Sequence, residues 1–275
     1  YCFQAAERGH SEAKWHCHLD LLAGNNIPRD VDKAILLLKE AAADGFVLAQ
    51  SKLARYLLLG TYVRQDSKEA QTWAKKAADK GNTDGQCTYG ICLQFGAGIE
   101  QNEELAFDYF LKAANQESPW GQRLVGDAIA KGSGVEQDLE KAFGWYKLAA
   151  QNGEQKAMFY IANCYADGHG IKSDANAAIW WFQKLCNLGD VACQSEFARR
   201  LLVGDGIPQN APEGVKYANL AAMQGDQQAQ RYLHISFNIG HGVPRNFQQA
   251  YYWLAIASAK KFQQKDAATL DNLEQ

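Results

Sequence analysis

The sequence predicts an all-α protein: an α/α solenoid, a right-handed superhelix of about seven 36-residue helix-turn-helix repeats plus a C-terminal capping helix. Three observations predict it. Glycine stands at 24, 60, 96, 132, 168, 204 and 240, each separated from the next by 36 residues. A β-branched residue follows three positions later: Ile27, Val63, Ile99, Val135, Ile171, Ile207 and Val243. Asp or Asn follows three positions after that: Asp30, Asp66, Asn102, Asp138, Asp174, Asn210 and Asn246. No gap interrupts the period. Residues 1–275 then form a single solenoid, with 1–9 the end of a truncated repeat, 10–261 the seven repeats and 262–275 the cap.

Each row has a local cause. A glycine just after an apolar periodic segment supplies the left-handed residue that ends a helix. The Asp/Asn row places a side-chain oxygen where the first free N–H groups of the next helix need an acceptor. This second helix of each repeat is called B. Glu69, Glu213 and Gln249 stand three residues past their caps, at capping-box spacing. Ala34, Ala70, Ala106, Ala142 and Ala178, then Gly214 and Ala250, let neighbouring helices approach. The larger residues Leu37, Trp73, Tyr109, Trp145, Trp181, Tyr217 and Trp253 are expected between helices. An Ala-Ala pair ends helix B at 5–6, 41–42, 77–78, 113–114, 149–150 and 221–222.

The first helix of each repeat, A, spans 155–167 in a middle repeat. Its apolar rows are Cys17, Leu53, Tyr89, Val125, Ile161, Phe197, Leu233 and, four residues on, Leu21, Leu57, Leu93, Ile129, Tyr165, Leu201, Phe237. A row of small residues runs between them (Ala54, Gly90, Gly126, Ala162, Ala198). Asn82, Ser118, Asp190 and Asp226 are its expected caps. Glu117 replaces the glycine that ends helix B elsewhere, and Ser118-Pro119 then restores a helix start through a cap and a first-turn proline. Helix A is expected to line the concave wall. The tail from Lys260 keeps a helical pattern through Ala267, Leu270 and Leu273, hence the capping helix.

Composition narrows the function. A net charge of −3 and a pI near 6.1 give no basic field for a phosphate backbone, so nucleic acid is not an expected partner. The longest apolar stretches, AILLL (34–38) and YYWLAIASA (251–259), are far below the ~18–20 residues of a bilayer span. Seven cysteines (2, 17, 87, 92, 164, 186 and 193) cannot all pair within one chain, and no CxxC spacing occurs. The chain opens on YCFQAAERG, the second half of a repeat, which suggests that an upstream segment and its targeting information lie outside this sequence.

Apparent active-site motifs dissolve into the period. DGHGIKSDAN (167–176) looks like a ligand-cradling loop, yet its glycines end helix A and form the turn, and Asp174 caps helix B. His169 and His241 share a position held elsewhere by Asn25, Thr61, Ala97, Ser133 and Asp205, so they read as surface loop residues. Two repeats separate them, roughly 20 Å for helices ~8–10 Å apart, too far to share a metal. In His16-Cys17-His18 the two histidines project about 200° apart on a helix, and Cys17 falls in the apolar row. Cys2 and His10 do not change this. Glu103-Glu104 and Asp138/Glu140 sit in first turns of B helices, where they suit the helix dipole. No P-loop, nucleophile elbow or HExxH occurs. The expectation is no catalytic residue, no metal and no cofactor.

AAQNGEQKAMFYIANCYADGHGIKSDANAAIWWF (149–182) and GSGVEQDLEKAFGWYKLAA (132–150) resemble the Sel1-like repeat, a relative of the tetratricopeptide repeat. The likeness covers almost the whole chain. Asn26 and Tyr62 depart from it at the second loop glycine, and Leu185-Cys186 at one Ala-Ala pair. The resemblance implies a non-enzymatic scaffold for protein partners, of the kind found in endoplasmic-reticulum degradation complexes, bacterial signalling and secreted factors of intracellular pathogens. It favours a secreted, host-exposed or periplasmic location. A cysteine-rich branch of that family joins helix B to the next helix A by a disulfide. Cys186 and Cys193 come nearest to that arrangement, but one residue closer than the branch implies, a rotation of roughly 100°. Buried thiols are the favoured expectation and a bridge the alternative.

A protein or peptide partner is therefore expected on helix A positions that vary while the core rows hold. One row is His16, Lys52, Thr88, Leu124, Tyr160, Glu196, Tyr232; another is Leu19, Arg55, Ile91, Asp127, Asn163, Arg199, Ile235. Aromatics and arginines anchor interfaces most often. The candidate contact residues are Trp15, His16, Arg55, Tyr56, Trp120, Arg123, Tyr160, Asn163, Arg199, Arg200, Arg231 and Tyr232. Two further readings remain, a cell-envelope regulatory binder and a hydrolase acting on envelope material. A monomer is favoured.

Overall fold

The structure is a computed structural model and describes residues 2–24 and 27–258; the side chain of Cys2 is not among what it describes. Asn25, Asn26 and the expected capping helix 262–275 lie outside the described residues. The chain divides into two compact units, 1–154 and 155–275. In the first unit α1 (Cys2–Glu7) is the end of a B helix. The A helices α2 (Ser11–Ala23), α4 (Val47–Leu59), α6 (Thr83–Phe95) and α8 (Pro119–Lys131) alternate with the B helices α3 (Val31–Ala43), α5 (Ser67–Asp79), α7 (Glu103–Ala114) and α9 (Leu139–Gln151). In the second unit the A helices are α10 (Gln155–Asp167), α12 (Val191–Val203) and α14 (Gln227–Ile239). Its B helices are α11 (Ala175–Asn187), α13 (Ala211–Met223) and α15, helical over 247–258. Helix A of the middle repeat has the bounds its pattern predicts.

The ends of the helices are made by the residues the period singles out. Asp30, Asp66, Asn102, Asp138, Asp174 and Asn210 each accept from the N–H three residues on, at 2.9–3.3 Å. Asn82, Ser118, Asp190 and Asp226 do the same for helix A. The expected capping boxes close only halfway. Glu69 accepts from the Trp73 indole and Glu213 from the Asn210 side-chain amide, so neither carboxylate reaches back to the cap's backbone. Where glycine is lost, Tyr62 and Glu117 hold the left-handed backbone themselves, at φ 64° and 61°.

Helix packing follows from small residues. The Ala-Ala pair ending each B helix lies against the third residue of the next helix A. A Cβ added at Gly85 would stand 2.6 Å from the Ala77 Cβ, and one at Gly121 2.7 Å from that of Ala113. Inside a repeat, Gly90 and Gly126 sit directly on the rings of Phe110 and Tyr146. Those rings, one position beyond the expected interhelical row, are the more deeply buried; Trp73, Tyr109 and Trp145 of that row are only half-buried.

A ladder of buried amides runs beside this apolar core. Gln50, Gln194 and Gln230 each donate to the carbonyl eight residues earlier, on the preceding B helix. Gln86, Gln122 and Gln194 accept from Gln116, Asn152 and Gln224 at the end of the following B helix. Lys14 holds the same row in the first repeat and binds Asp44 at 2.8 Å. Met158 takes that place in α10, without an amide.

In the first unit α4 touches α6 and α6 touches α8, and in the second α12 touches α14; no two B helices approach as closely among the described residues. The layer whose members crowd together is the inside of a curve. Helix A therefore forms the concave wall of each unit, as its sequence suggested.

Two measurements test this packing. Gly98 (φ 74°) carries no room for a Cβ, which would meet the Ser67 carbonyl at 2.2 Å, whereas Gly81 (φ 80°) has open space around it. Gly81→Ala should cost about 1–2 kcal/mol of unfolding free energy from backbone strain alone, and Gly98→Ala roughly 1–3 kcal/mol more from the clash. His18 occupies the small-residue row, fully buried, with Nδ1 donating to the Ala34 carbonyl at 2.9 Å. Burial lowers its pKa, the Ala34 bond opposing. The unfolded chain then binds more protons just below the ordinary histidine range, near 6.5, so stability falls as pH drops through that range. His18→Gln, measured by thermal unfolding from pH 7 to pH 5, should flatten that part of the decline.

Candidate partner-binding face

Three stripes of helix A carry the candidates. They begin at residues 12, 15–16 and 19–20 of the first repeat and recur every 36 residues. The structure sorts the candidate contact residues into two groups.

Three of the candidates are interior residues. Tyr56 is buried in the apolar core of the first unit, edge-on to Tyr62 and beside His18. Arg123 is buried, ion-paired to Asp127 one helical turn away and to Glu154 at 3.0 Å. Asp127 also accepts from the Tyr146 hydroxyl at 2.9 Å, and burial raises its pKa despite both partners. Arg200 is only 4% exposed. It forks onto both oxygens of Asp167 at 2.8 Å and donates to Glu196, to the Asn163 side chain and to the Asp205 carbonyl. These side chains shape the wall from within. Helical phase alone places them near the surface, but ion pairs draw in Arg123 and Arg200, and apolar and aromatic neighbours draw in Tyr56.

The rest lie on or near the open face. His16, Arg55, Tyr160 and Arg231 are exposed; Trp15, Trp120, Asn163, Arg199 and Tyr232 are half-buried. Trp15 packs between His18 and Phe46. Arg199 is neutralised: Glu196 grips it with two oxygens, Asp205 adds a third at 2.8 Å, and Arg199 in turn holds Asp205 below the usual carboxylate range. Arg231 bonds only to the Gln228 amide oxygen, at 3.2 Å. Arg55 lies over the Trp120 ring, 4.9 Å from its centre, and spans two repeats to do so.

Sequence reasoning passed over a fourth row. Leu59 and Phe95 in the first unit, with Val203 and Ile239 in the second, are the last residues of their A helices and are strongly exposed. The signal was present: a large apolar residue just before the loop glycine, where Lys131 and Asp167 stand in other repeats.

The loop and cysteine candidates behave differently from one another. His169 is exposed, whereas the His241 Nε2–H donates to the Leu202 carbonyl at 2.9 Å. Cys17 is fully buried and His16 faces away from it. Among the described residues no group of three or more His, Cys, Asp or Glu is placed to hold a metal ion. Cys186 and Cys193 meet, Sγ to Sγ at 3.2 Å, contrary to the rotation expected from their spacing. They occupy the two rows, Ala-Ala and first-turn Ala/Gly, that touch in every repeat. Their mutual hydrogen bond, then burial, pushes the Cys193 thiol up.

Comparison with known proteins gives a consistent result. A family model described as Sel1 repeat matches seven segments: 17–46, 47–82, 83–118, 121–154, 155–190, 192–226 and 235–262. A protective antigen present in uropathogenic Escherichia coli strains, displaying an SLR fold, is 27% identical with a TM-score of 0.73. That match covers 94% of this chain but only 56% of the antigen, so the chain spans little more than half of its length. A Sel1 repeat protein from Oxalobacter formigenes is 28% identical with a TM-score of 0.68, over 94% of this chain and 75% of that one. No curated protein matches the sequence.

The division between interior and open arginines is measurable. Arg200→Met leaves Asp167 and Glu196 without their shared cation and should lower unfolding free energy by about 2–4 kcal/mol. Arg231→Met should stay within ~0.5 kcal/mol of the parent. Denaturant titration of both variants decides it.

Proposed function

The chain belongs to the Sel1 repeat family, whose fold generally serves as a non-enzymatic protein-interaction scaffold, and from that premise we propose that it captures a partner protein or peptide on its concave face. One observation carries the reading. The exposed A-helix rows change chemistry from repeat to repeat, while the rows beneath them stay small or apolar and buried. Arg55 and Ile91, Tyr160 and Asn163, then Tyr232 and Ile235 follow one another along equivalent positions. A surface that served only solubility would carry interchangeable polar residues. This one sets aromatic, cationic and aliphatic groups in an order, which is how an interface distributes its anchors.

A bacterial factor that faces host proteins is the finer form of this proposal, supported by the likeness to the protective antigen, 27% identical. No helix among the described residues is long and apolar enough to cross a membrane, so the capture surface is argued for a protein partner rather than for a lipid core.

The test uses exposed residues, whose substitution leaves the fold intact. Phe95→Asp and Leu59→Asp in the first unit, and Arg231→Glu and Ile235→Asp in the second, are compared with Trp180→Ala on helix B. Affinity capture followed by titration of the recovered partner should show about tenfold or greater weakening for at least one concave pair and none for the helix B variant. Equal affinity across all of them would overturn the proposal.

A further inference from the structure

Among the arginines proposed as contacts, Arg123, Arg199 and Arg200 spend their charge on carboxylates of their own unit. Arg55 does not. Neither it nor Lys52, one turn earlier on α4, forms an ion pair among the described residues. Burial lowers the pKa of Lys52 and the Arg55 charge lowers it further, with Asp84 acting the other way. Two like charges are thus held one turn apart on α4, neither of them ion-paired, with Asp84 the carboxylate whose charge acts on Lys52.

Beneath them lies a second anomaly. Thr88 of α6 stands in the row of Lys52, one repeat on, and α4 and α6 are in contact. It is 1% exposed, and Leu124 of the same row is also buried, whereas His16 and Tyr160 of that row are exposed. Arg55 reaches from α4 past α6 to the Trp120 ring of α8, and its charge acts on the thiol of Cys87, the residue before Thr88. The Thr88 hydroxyl is buried with no hydrogen-bond partner, a state that costs about 1–3 kcal/mol. A buried orphan donor, two cations that form no ion pair and an aromatic ring thus lie on three successive A helices, α6, α4 and α8, with Arg55 linking the outer two. What satisfies all of them is a small anion with acceptor oxygens.

We propose that the concave face of the first unit carries a carboxylate pocket, formed by Lys52, Arg55, Thr88 and Trp120, that receives an acidic side chain of a partner peptide. Two cations, one of them already under the Asp84 charge, suit a carboxylate better than a doubly charged phosphate. Ile91 and the exposed Leu59 and Phe95 on the same A helices suit apolar neighbours of that acidic residue. In the free protein the guanidinium–indole stack occupies the entrance. Binding turns Arg55 from the ring to the carboxylate and opens Thr88 to it. The proposal rests on helix A being the contact face and adds the chemistry of the ligand.

Fluorotryptophan NMR of the whole chain tests it, because two tryptophans, Trp15 and Trp120, lie on A helices and the other five on B helices. The probe is an alternating leucine–glutamate pentapeptide capped at both ends, with its leucine–glutamine counterpart as control. The glutamate peptide should move the Trp120 signal, assigned by its loss in Trp120→Phe, and bind about tenfold more tightly than the glutamine peptide. Lys52→Gln and Arg55→Gln should each remove most of that difference, and Thr88→Val part of it, with helicity unchanged. Equal binding of the two peptides with shifts at Trp120 or Trp15 overturns the carboxylate pocket and leaves the concave reading standing. Shifts confined to the helix B tryptophans overturn both. An unmoved Trp120 signal at saturating peptide overturns the pocket.

Discussion

The end of helix B and the first turn of the next helix A come so close that a Cβ added at Gly85 or Gly121 would stand 2.6 or 2.7 Å from an alanine Cβ, and much of the remaining geometry depends on this contact. Two alanines on one side face glycine, alanine or cysteine on the other, with Cβ separations that admit nothing larger. Van der Waals contact at this distance brings the backbones near enough for the buried glutamine of helix A to reach the carbonyls that helix B leaves open at its end. The amide ladder is thus a consequence of the alanine contact. It also explains why the ladder tolerates Lys14, which finds Asp44, and Met158, which needs no partner. The row is not satisfied everywhere: the amide oxygens of Gln86, Gln122 and Gln194 accept a hydrogen bond, whereas those of Gln50 and Gln230 are buried without one.

The same contact governs which residues come to the surface. With B against A on both sides, A helices crowd one another and B helices do not, and each unit bends toward helix A. Crowding forces every A-helix residue into one of two states, packed under a neighbour or raised above it. Arg123 and Arg200 are packed under and must carry their counter-ions with them. Arg55 is raised, and its side chain extends across to a ring two repeats away.

Much of this was legible in the sequence because it is set by contacts a few residues apart. A cap accepts from the N–H three residues on, and a loop glycine ends the helix immediately before it, so a 36-residue period exposes both. Helix bounds, caps, turn residues and the concave assignment of helix A followed from that. Burial of Tyr56, Arg123 and Arg200 did not, since it depends on partners such as Asp167, which lies 33 residues from Arg200. Cys186 and Cys193 are free buried thiols, the favoured expectation, but their approach to 3.2 Å was not foreseen: angular phase was measured on one helix, when the two residues sit on different helices at their point of crossing. Comparing rows, rather than angles, would have found it.

Rows and exceptions therefore carry different kinds of information. A position that repeats is explained by the stack, whichever residue fills it, and the loop histidines belong here: the same turn forms around His169 and His241, and one of them merely adds a bond to Leu202. A position that breaks its row without a packing reason asks for a cause outside the stack. Thr88 is such a case: among the described residues His18 Nε2 and the amide oxygens of Gln50 and Gln230 are also buried and unmet, but those side chains each make another hydrogen bond and Thr88 makes none. The stack gains nothing from that hydroxyl, and valine would fill the same volume at lower cost. Its presence on α6, which the unpaired Arg55 passes to reach Trp120, is explained by a group that arrives from solution and accepts from both.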